Sequence, residues 1–285
     1  MARFKLTIEY HGRPFVGWQR QTNGMSVQQA LEEAIKEFSG EKVILHAAGR
    51  TDTGVHATGQ VCHVDLEKET DASTVRDAIN FHVRPYTVSV LHAEEVAQDF
   101  HARFSATQRV YLYRVTNRRG PLAIGRGLSW HIVPELDTDA MHAAAQLLLG
   151  KHDFTTFRAA RCQADSPTKT LDLLDVVRDG ENILINARAR SFLYHQVRNM
   201  VGTLKLVGEG KWSPQDVADA LAAKDRLVEL LESGDNKFKL VSHGVGKYGR
   251  CLGELYHPDS EAEGDSYNQT LVKEGHAKEY FGGKR

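Results

Sequence analysis

Two hydrophobic periods alternate along this chain, and that alternation restricts the fold more than any other feature. Phe4-Lys5-Leu6-Thr7-Ile8-Glu9-Tyr10 alternates apolar and polar residues, the period of a half-buried strand, and His11-Gly12-Arg13-Pro14 supplies the turn after it. Ser26 then caps a predicted helix over 27–38, where Val27, Ala30, Leu31, Ala34, Ile35 and Phe38 recur at helical spacing and Ser39-Gly40 stops it. Strands are predicted over 43–47, 59–65, 88–91 and 109–116, with a helix over 74–83. The second half repeats the logic: a helix over 139–149 ended by Gly150, strands over 170–178 and 182–188 around the Asp179-Gly180 turn, a helix over 194–207, and another from Ser213-Pro214 to 223. Neither an all-helical nor an all-strand fold accommodates both periods, so the pattern predicts an α+β architecture in two halves with a cleft between them. The basic, glycine-containing loop over 117–127 marks the boundary.

A chain of 285 residues with 41% apolar and 26% charged residues can build a real core. No apolar run approaches the roughly 20 residues that span a bilayer, and the N-terminus enters a strand without the apolar stretch of a signal peptide, so a cytoplasmic protein with no membrane partner is expected. Cys62, Cys162 and Cys251 are far apart and form no C-x-x-C pair, which points away from a disulfide framework or a zinc site. The net charge of −1 excludes holding nucleic acid by bulk charge. Local patches remain: Arg103, Arg109, Arg114, Arg118, Arg119 and Arg126 in one acid-free stretch, and Arg188, Arg190, Arg198 and Lys205 in another.

Gly49-Arg50-Thr51-Asp52-Thr53-Gly54-Val55-His56-Ala57 sets a carboxylate between glycines in a polar turn just ahead of a strand. On chemistry alone two readings stand: Asp52 is a turn residue whose side chain accepts the Gly54 amide, or it is a nucleophile held outward, kept ionised by Arg50. The stretch resembles the signature around the catalytic aspartate of the TruA family of tRNA pseudouridine synthases, with Thr53 standing where Ala is usual. Similar agreement runs through Gly17-Trp18-Gln19-Arg20-Gln21, Phe100-His101-Ala102-Arg103-Phe104-Ser105-Ala106-Thr107 and Arg109-Val110-Tyr111-Leu112-Tyr113. It continues through His152-Asp153-Phe154-Thr155-Thr156-Phe157-Arg158 and Phe192-Leu193-Tyr194-His195-Gln196-Val197-Arg198-Asn199-Met200-Val201-Gly202.

The resemblance implies two ferredoxin-like α/β subdomains, 1–118 and 119–226, with antiparallel sheets joined across a central cleft. It implies an isomerase that converts uridine to pseudouridine at positions 38, 39 and 40 in the anticodon stem-loop of tRNA. Asp52, Tyr111 and Arg198 are the implied catalytic residues, with Arg50, Tyr111, Arg20 and Arg158 binding substrate. Asp52 would attack the base or the ribose, Tyr111 would stack on the target uracil, Arg198 would pair with Asp52, and Arg50 would fill the space the extracted base leaves. A homodimer is implied as well. No metal or cofactor is expected, because no ligand cluster stands at metal spacing and His46, His56 and His63 suit hydrogen bonding.

Beyond Arg226 the resemblance stops, and 227–285 is expected to be an atypical strand-helix tail with a structural role. Residues 247–256 and 268–280 are similar to the C-terminal half of a staphylococcal-nuclease-like domain, with Arg250 at a phosphate-contacting position but no match to the calcium-binding carboxylates. Residues 251–256 are expected to pair into the second sheet, 259–265 to form an acidic loop, and 268–280 an extra helix. Two alternatives follow: a catalytically impaired tRNA-binding protein, and a calcium-dependent nuclease acting through the tail.

Overall fold

The computed structural model describes residues 1–159, 162–233, 235–245, 251–260 and 265–277. The chain divides into two compact units, Met1–Thr107 and Gln108–Arg285, and the fold is a two-subdomain α+β one. The division comes ahead of the strand Arg109–Asn117, whereas the sequence-based boundary at 118 falls in the loop after that strand.

The first unit comprises β1 (Ala2–Tyr10), α1 (Val27–Ser39), β2 (His46–Ala47), β3 (Ala57–Leu66), α2 (Ala72–His82) and β4 (Val88–Val96). Its strands form an antiparallel sheet in the order β2-β3-β1-β4. Helix α1 begins where the Ser26 side chain accepts the Gln29 amide at 3.1 Å, and it ends at Gly40, whose left-handed φ of 80° lets its amide reach back to Lys36 O. Its apolar stripe of Val27, Ala30, Leu31, Ala34 and Ile35 is buried with Phe4, Leu6, Ile8, Val64 and Ile79. Cutting one of these side chains back, as in Leu31→Ala, costs about 2–5 kcal/mol.

Residues 43–45, expected to extend a strand, are not in one. The buried Glu32 carboxylate on α1 accepts the Leu45 amide at 3.1 Å, and the Gln28 side chain donates to Leu45 O at 3.4 Å. Helix side chains thus satisfy the backbone groups that a ladder would otherwise bond. Only two residues of the expected strand remain, opposite His63 and Cys62.

The second unit comprises β5 (Arg109–Asn117), β6 (Trp130–Ile132), α3 (Thr138–Gln146), β7 (Gly150–Asp153), a single 3-10 turn at Thr155–Phe157, β8 (Thr168–Asp179), β9 (Asn182–Ala189), α4 (Gln196–Gly208) and α5 (Pro214–Glu232). The sheet order is β6-β5-β9-β8-β7, antiparallel except for the β5–β6 pair. Neither β6 nor β7 was expected from the sequence. Helix α3 stops short of 149 because Leu147, Leu148 and Leu149 bond back three residues and tighten the last turn. The core lies between Ile183, Ile185 and Leu174 of the sheet and Met141, Met200, Leu204 and Val217 of the helices.

The tail follows as β10 (Lys239–Val245), β11 (Cys251–Tyr256) and α6 (Tyr267–Lys273). Three expectations are corrected here. Helix α5, predicted to end at 223, runs on to Glu232 after a capping box of Ser213 and Asp216. Strand β11 does not pair into the five-stranded sheet; its partner is β10, in a separate antiparallel pair. Helix α6 is shorter than 268–280 and docks through an ion pair, Glu274 taking Arg226 of α5 at 2.5 Å, and through Asn268, whose side chain accepts the Leu255 amide at 2.9 Å. Tyr256 and Tyr267 are buried, while Leu255, Leu271, Val272 and Ala277 are half-buried. Arg250, residues 261–264 of the acidic loop and residues 278–280 lie outside the described residues.

Candidate active site

Asp52 sits in the loop that joins β2 to β3, and the sequence around it explains how that loop is held. Strand β3 starts at Ala57, paired with Tyr10 at the end of β1, so the loop over 48–56 meets the loop that leads from β1 into α1. Two glycines permit the approach. A Cβ on Gly12 would stand 1.9 Å from Val55 O, and one on Gly17, whose φ is +114°, would stand 2.9 Å from Thr51 O.

Hydrogen bonds then tie the loops together. The Trp18 amide donates to Thr51 O at 3.0 Å, the Gly12 amide to His56 Nδ1 at 3.1 Å, and the Thr53 hydroxyl to Val16 O at 2.9 Å. The Tyr10 and Thr51 hydroxyls lie 2.8 Å apart. Asp52 itself is half-buried, and its carbonyl accepts the Val55 amide at 3.1 Å, closing the turn. Arg50 is exposed two residues earlier. Arg20, expected to bind substrate, is held by Glu32 at 2.9 Å, with its side chain still 48% exposed to solvent. The Arg20 side chain is therefore still accessible from solvent beside its bond to Glu32.

The other three expected site residues belong to the second unit. Tyr111 lies on β5 opposite Ala187, its ring edge-on to Phe192 at 5.3 Å. Val110 and Leu112 point to the opposite, exposed face, as the strand period predicts. Arg198 is exposed on the first turn of α4, and its guanidinium acts on Tyr113, two residues along the strand face from Tyr111. Burial pushes the Tyr113 phenol up, against the opposing pull of Arg198. Arg158, half-buried, follows the 3-10 turn, which is tied to the start of α4 by the Asn199 side chain donating to Phe157 O at 2.8 Å and by the Ala159 amide donating to Tyr194 O at 3.0 Å. His195 enters α4 at φ 61°, a left-handed conformation rare outside glycine.

The structure thus groups Asp52, Arg50 and Arg20 in one unit and Tyr111, Arg198 and Arg158 in the other. Tyr10, Thr51 and Tyr113 carry no assigned role in the sequence reading. Only the period-2 spacing of Tyr113 from Tyr111 hinted at its place, and nothing local in the sequence links Tyr10 to Thr51. Within the basic stretches, Arg118 is bound to Glu181 at 2.8 Å and Lys205 to Glu209 at 2.6 Å, whereas Arg103, Arg114, Arg188 and Arg190 are exposed. The Arg109 guanidinium donates to Arg190 O, which places both at one end of the β5–β9 pair. Among the described residues no group of three or more His, Cys, Asp or Glu side chains is arranged to hold a metal, and no helix is long and apolar enough to cross a membrane.

Comparison with known proteins covers most of the same residues. A profile described as tRNA pseudouridine synthase matches residues 6–105 and 144–232. The tRNA pseudouridine synthase A of Paramagnetospirillum magneticum is 62% identical over 226 residues, 79% of this chain and 88% of that protein. Those of Rhodospirillum centenum and Parvibaculum lavamentivorans are 62% and 59% identical over 226 residues, each covered to 92% of its length. The matches give no support to a nuclease-like tail, to a nuclease activity or to a lapsed enzyme. Aligned over two-thirds of its length with the profile and at about 60% identity with these relatives, the chain belongs to the tRNA pseudouridine synthase family.

Proposed function

We propose that this protein isomerises uridine to pseudouridine in tRNA, with Asp52 as the nucleophile. The observation that carries the reading is the identity of 62% over 226 residues with a tRNA pseudouridine synthase. The reaction breaks the C1′–N1 glycosidic bond, turns the uracil and joins C5 to C1′. The C5 proton leaves and N1 gains one, so the change is redox-neutral and calls for a nucleophile and a grip on the loose base, not an oxidant. Asp52 suits the first need because the backbone on both sides of it is fixed by hydrogen bonds.

Tyr111 is assigned the stacking contact with the target uracil, worth about 1–3 kcal/mol per base, and Arg198 the positive charge beside the reacting nucleotide. Arg50, Arg20 and Arg158 are assigned to substrate binding, for which Arg50 and Arg20 offer exposed guanidinium groups. The substrate region we propose is the anticodon stem-loop at positions 38, 39 and 40, and the working form a homodimer in the cytoplasm. Mapping pseudouridine in tRNA after treatment with the purified protein tests the reading. Product in the anticodon arm is expected, and unmodified tRNA would refute it.

A further inference from the structure

We infer that Tyr10, acting through Thr51, is a positioning residue for Asp52; the inference rests on Asp52 being the nucleophile. Tyr10 is the last residue of β1 and only 4% exposed, so its hydroxyl needs a partner inside the protein. Thr51 Oγ1, at 2.8 Å, provides one. Thr51 is thereby held twice, by its side chain to the end of a core strand and by its carbonyl, which accepts the Trp18 amide at 3.0 Å. A β-branched residue fixed at both its hydroxyl and its carbonyl has little freedom left at χ1 or ψ.

The consequence falls on the next residue. The peptide leading into Asp52 is set by Thr51, and the Asp52 carbonyl is set by the Val55 amide at 3.1 Å. On the far side the Thr53 hydroxyl is fastened to Val16 O at 2.9 Å. The backbone on either side of the carboxylate is therefore anchored to β1 and to the loop that enters α1. A nucleophile has to be held within about 0.5 Å of its productive position, which a free polar loop does not do. The Tyr10 hydroxyl meets Thr51, and its effect passes through the Thr51–Asp52 peptide.

The test compares Tyr10→Phe, Thr51→Val, Thr51→Ser and Asp52→Ala with the unaltered protein, reading the single-turnover rate of pseudouridine formation, the Kd for tRNA and the melting temperature. Tyr10→Phe and Thr51→Val are expected to slow the chemical step about ten- to a hundredfold, with Kd changed by less than about threefold. Because both remove the same contact, the double variant should be no slower than the worse single one by more than about threefold. Thr51→Ser, which restores the hydroxyl, should recover most of the rate. A full rate in Tyr10→Phe and Thr51→Val, with only a lowered melting temperature, makes the contact structural and overturns the inference. A full rate in Asp52→Ala overturns the assignment of the nucleophile instead, and is distinguished by that variant alone.

Discussion

Replacing Gly12 by alanine tests whether the close approach of two loops is what holds the Asp52 turn. The added Cβ would lie 1.9 Å from Val55 O, 2.6 Å from Val55 C and 3.1 Å from Val55 N, all backbone atoms that cannot swing aside. Carbon and oxygen pack no closer than about 3 Å, so the Val55 peptide must retreat by roughly 1 Å or more. Val55 donates its amide to Asp52 O, and His56, next in the chain, accepts the Gly12 amide, so the retreat strains both bonds. Overpacking of this kind costs about 1–3 kcal/mol, and loss of a hydrogen bond adds about 0.5–1.5 kcal/mol. A displacement near 1 Å at a reacting group costs on the order of a hundredfold in rate. Gly49→Ala is the control: Gly49 lies in the same loop beside Arg50, and a Cβ there meets nothing within 4 Å. Thermal melts and single-turnover rates on both variants should show Gly12→Ala slower and less stable, with Gly49→Ala close to unaltered. Equal behaviour of the two would refute the reasoning.

Three further outcomes are expected. Burial, then the charges of Arg3, His101 and His46 against that of Asp65, pull the His63 pKa down from 6.5 to about 4, and its Nδ1 accepts the Ala102 amide at 3.2 Å. The unfolded chain binds the proton first, so stability held above pH 6.5 is lost as pH falls toward 4; urea melts should show this, and His63→Asn, which keeps an acceptor but cannot protonate, should flatten it. A chain ending at Ser233 keeps α5 whole and should retain activity, whereas one ending at Lys224 cuts that helix in its interior and should melt lower and aggregate; identical melting of the two would show that the last turns of α5 add no stability. Pseudouridine formation should proceed in EDTA so long as the tRNA stays folded, and loss of turnover that a divalent ion restores to the protein would count against a metal-free site.

Most of the architecture was legible because local period and capping agree with the fold. Ser26 and Gly40 bracket α1, and the alternation of β1 matches its buried face residue for residue. What failed depended on partners distant in sequence. Residues 43–45 have strand-like composition, yet Glu32 and Gln28 take the Leu45 backbone groups. Residues 251–256 were readable as a strand, but strand choice is a matter of tertiary pairing, and the partner is β10. The short strands β6 and β7 carry too few residues for a period to show. At the candidate site, Asp52 was singled out by its motif, but the clasp of Tyr10 on Thr51 spans 41 residues and leaves no local signal. Arg20 was legible as a cation and not as a partner of Glu32, because the pairing requires the turn at Gly17–Trp18 that brings it onto α1.

The most direct measurement is pseudouridine mapping in tRNA exposed to the Asp52→Ala protein, with tRNA affinity measured alongside. Without the nucleophile the account predicts no pseudouridine above background and a Kd within about tenfold of the unaltered protein, since phosphate contacts supply most of the affinity. Undiminished pseudouridine from that variant would contradict it.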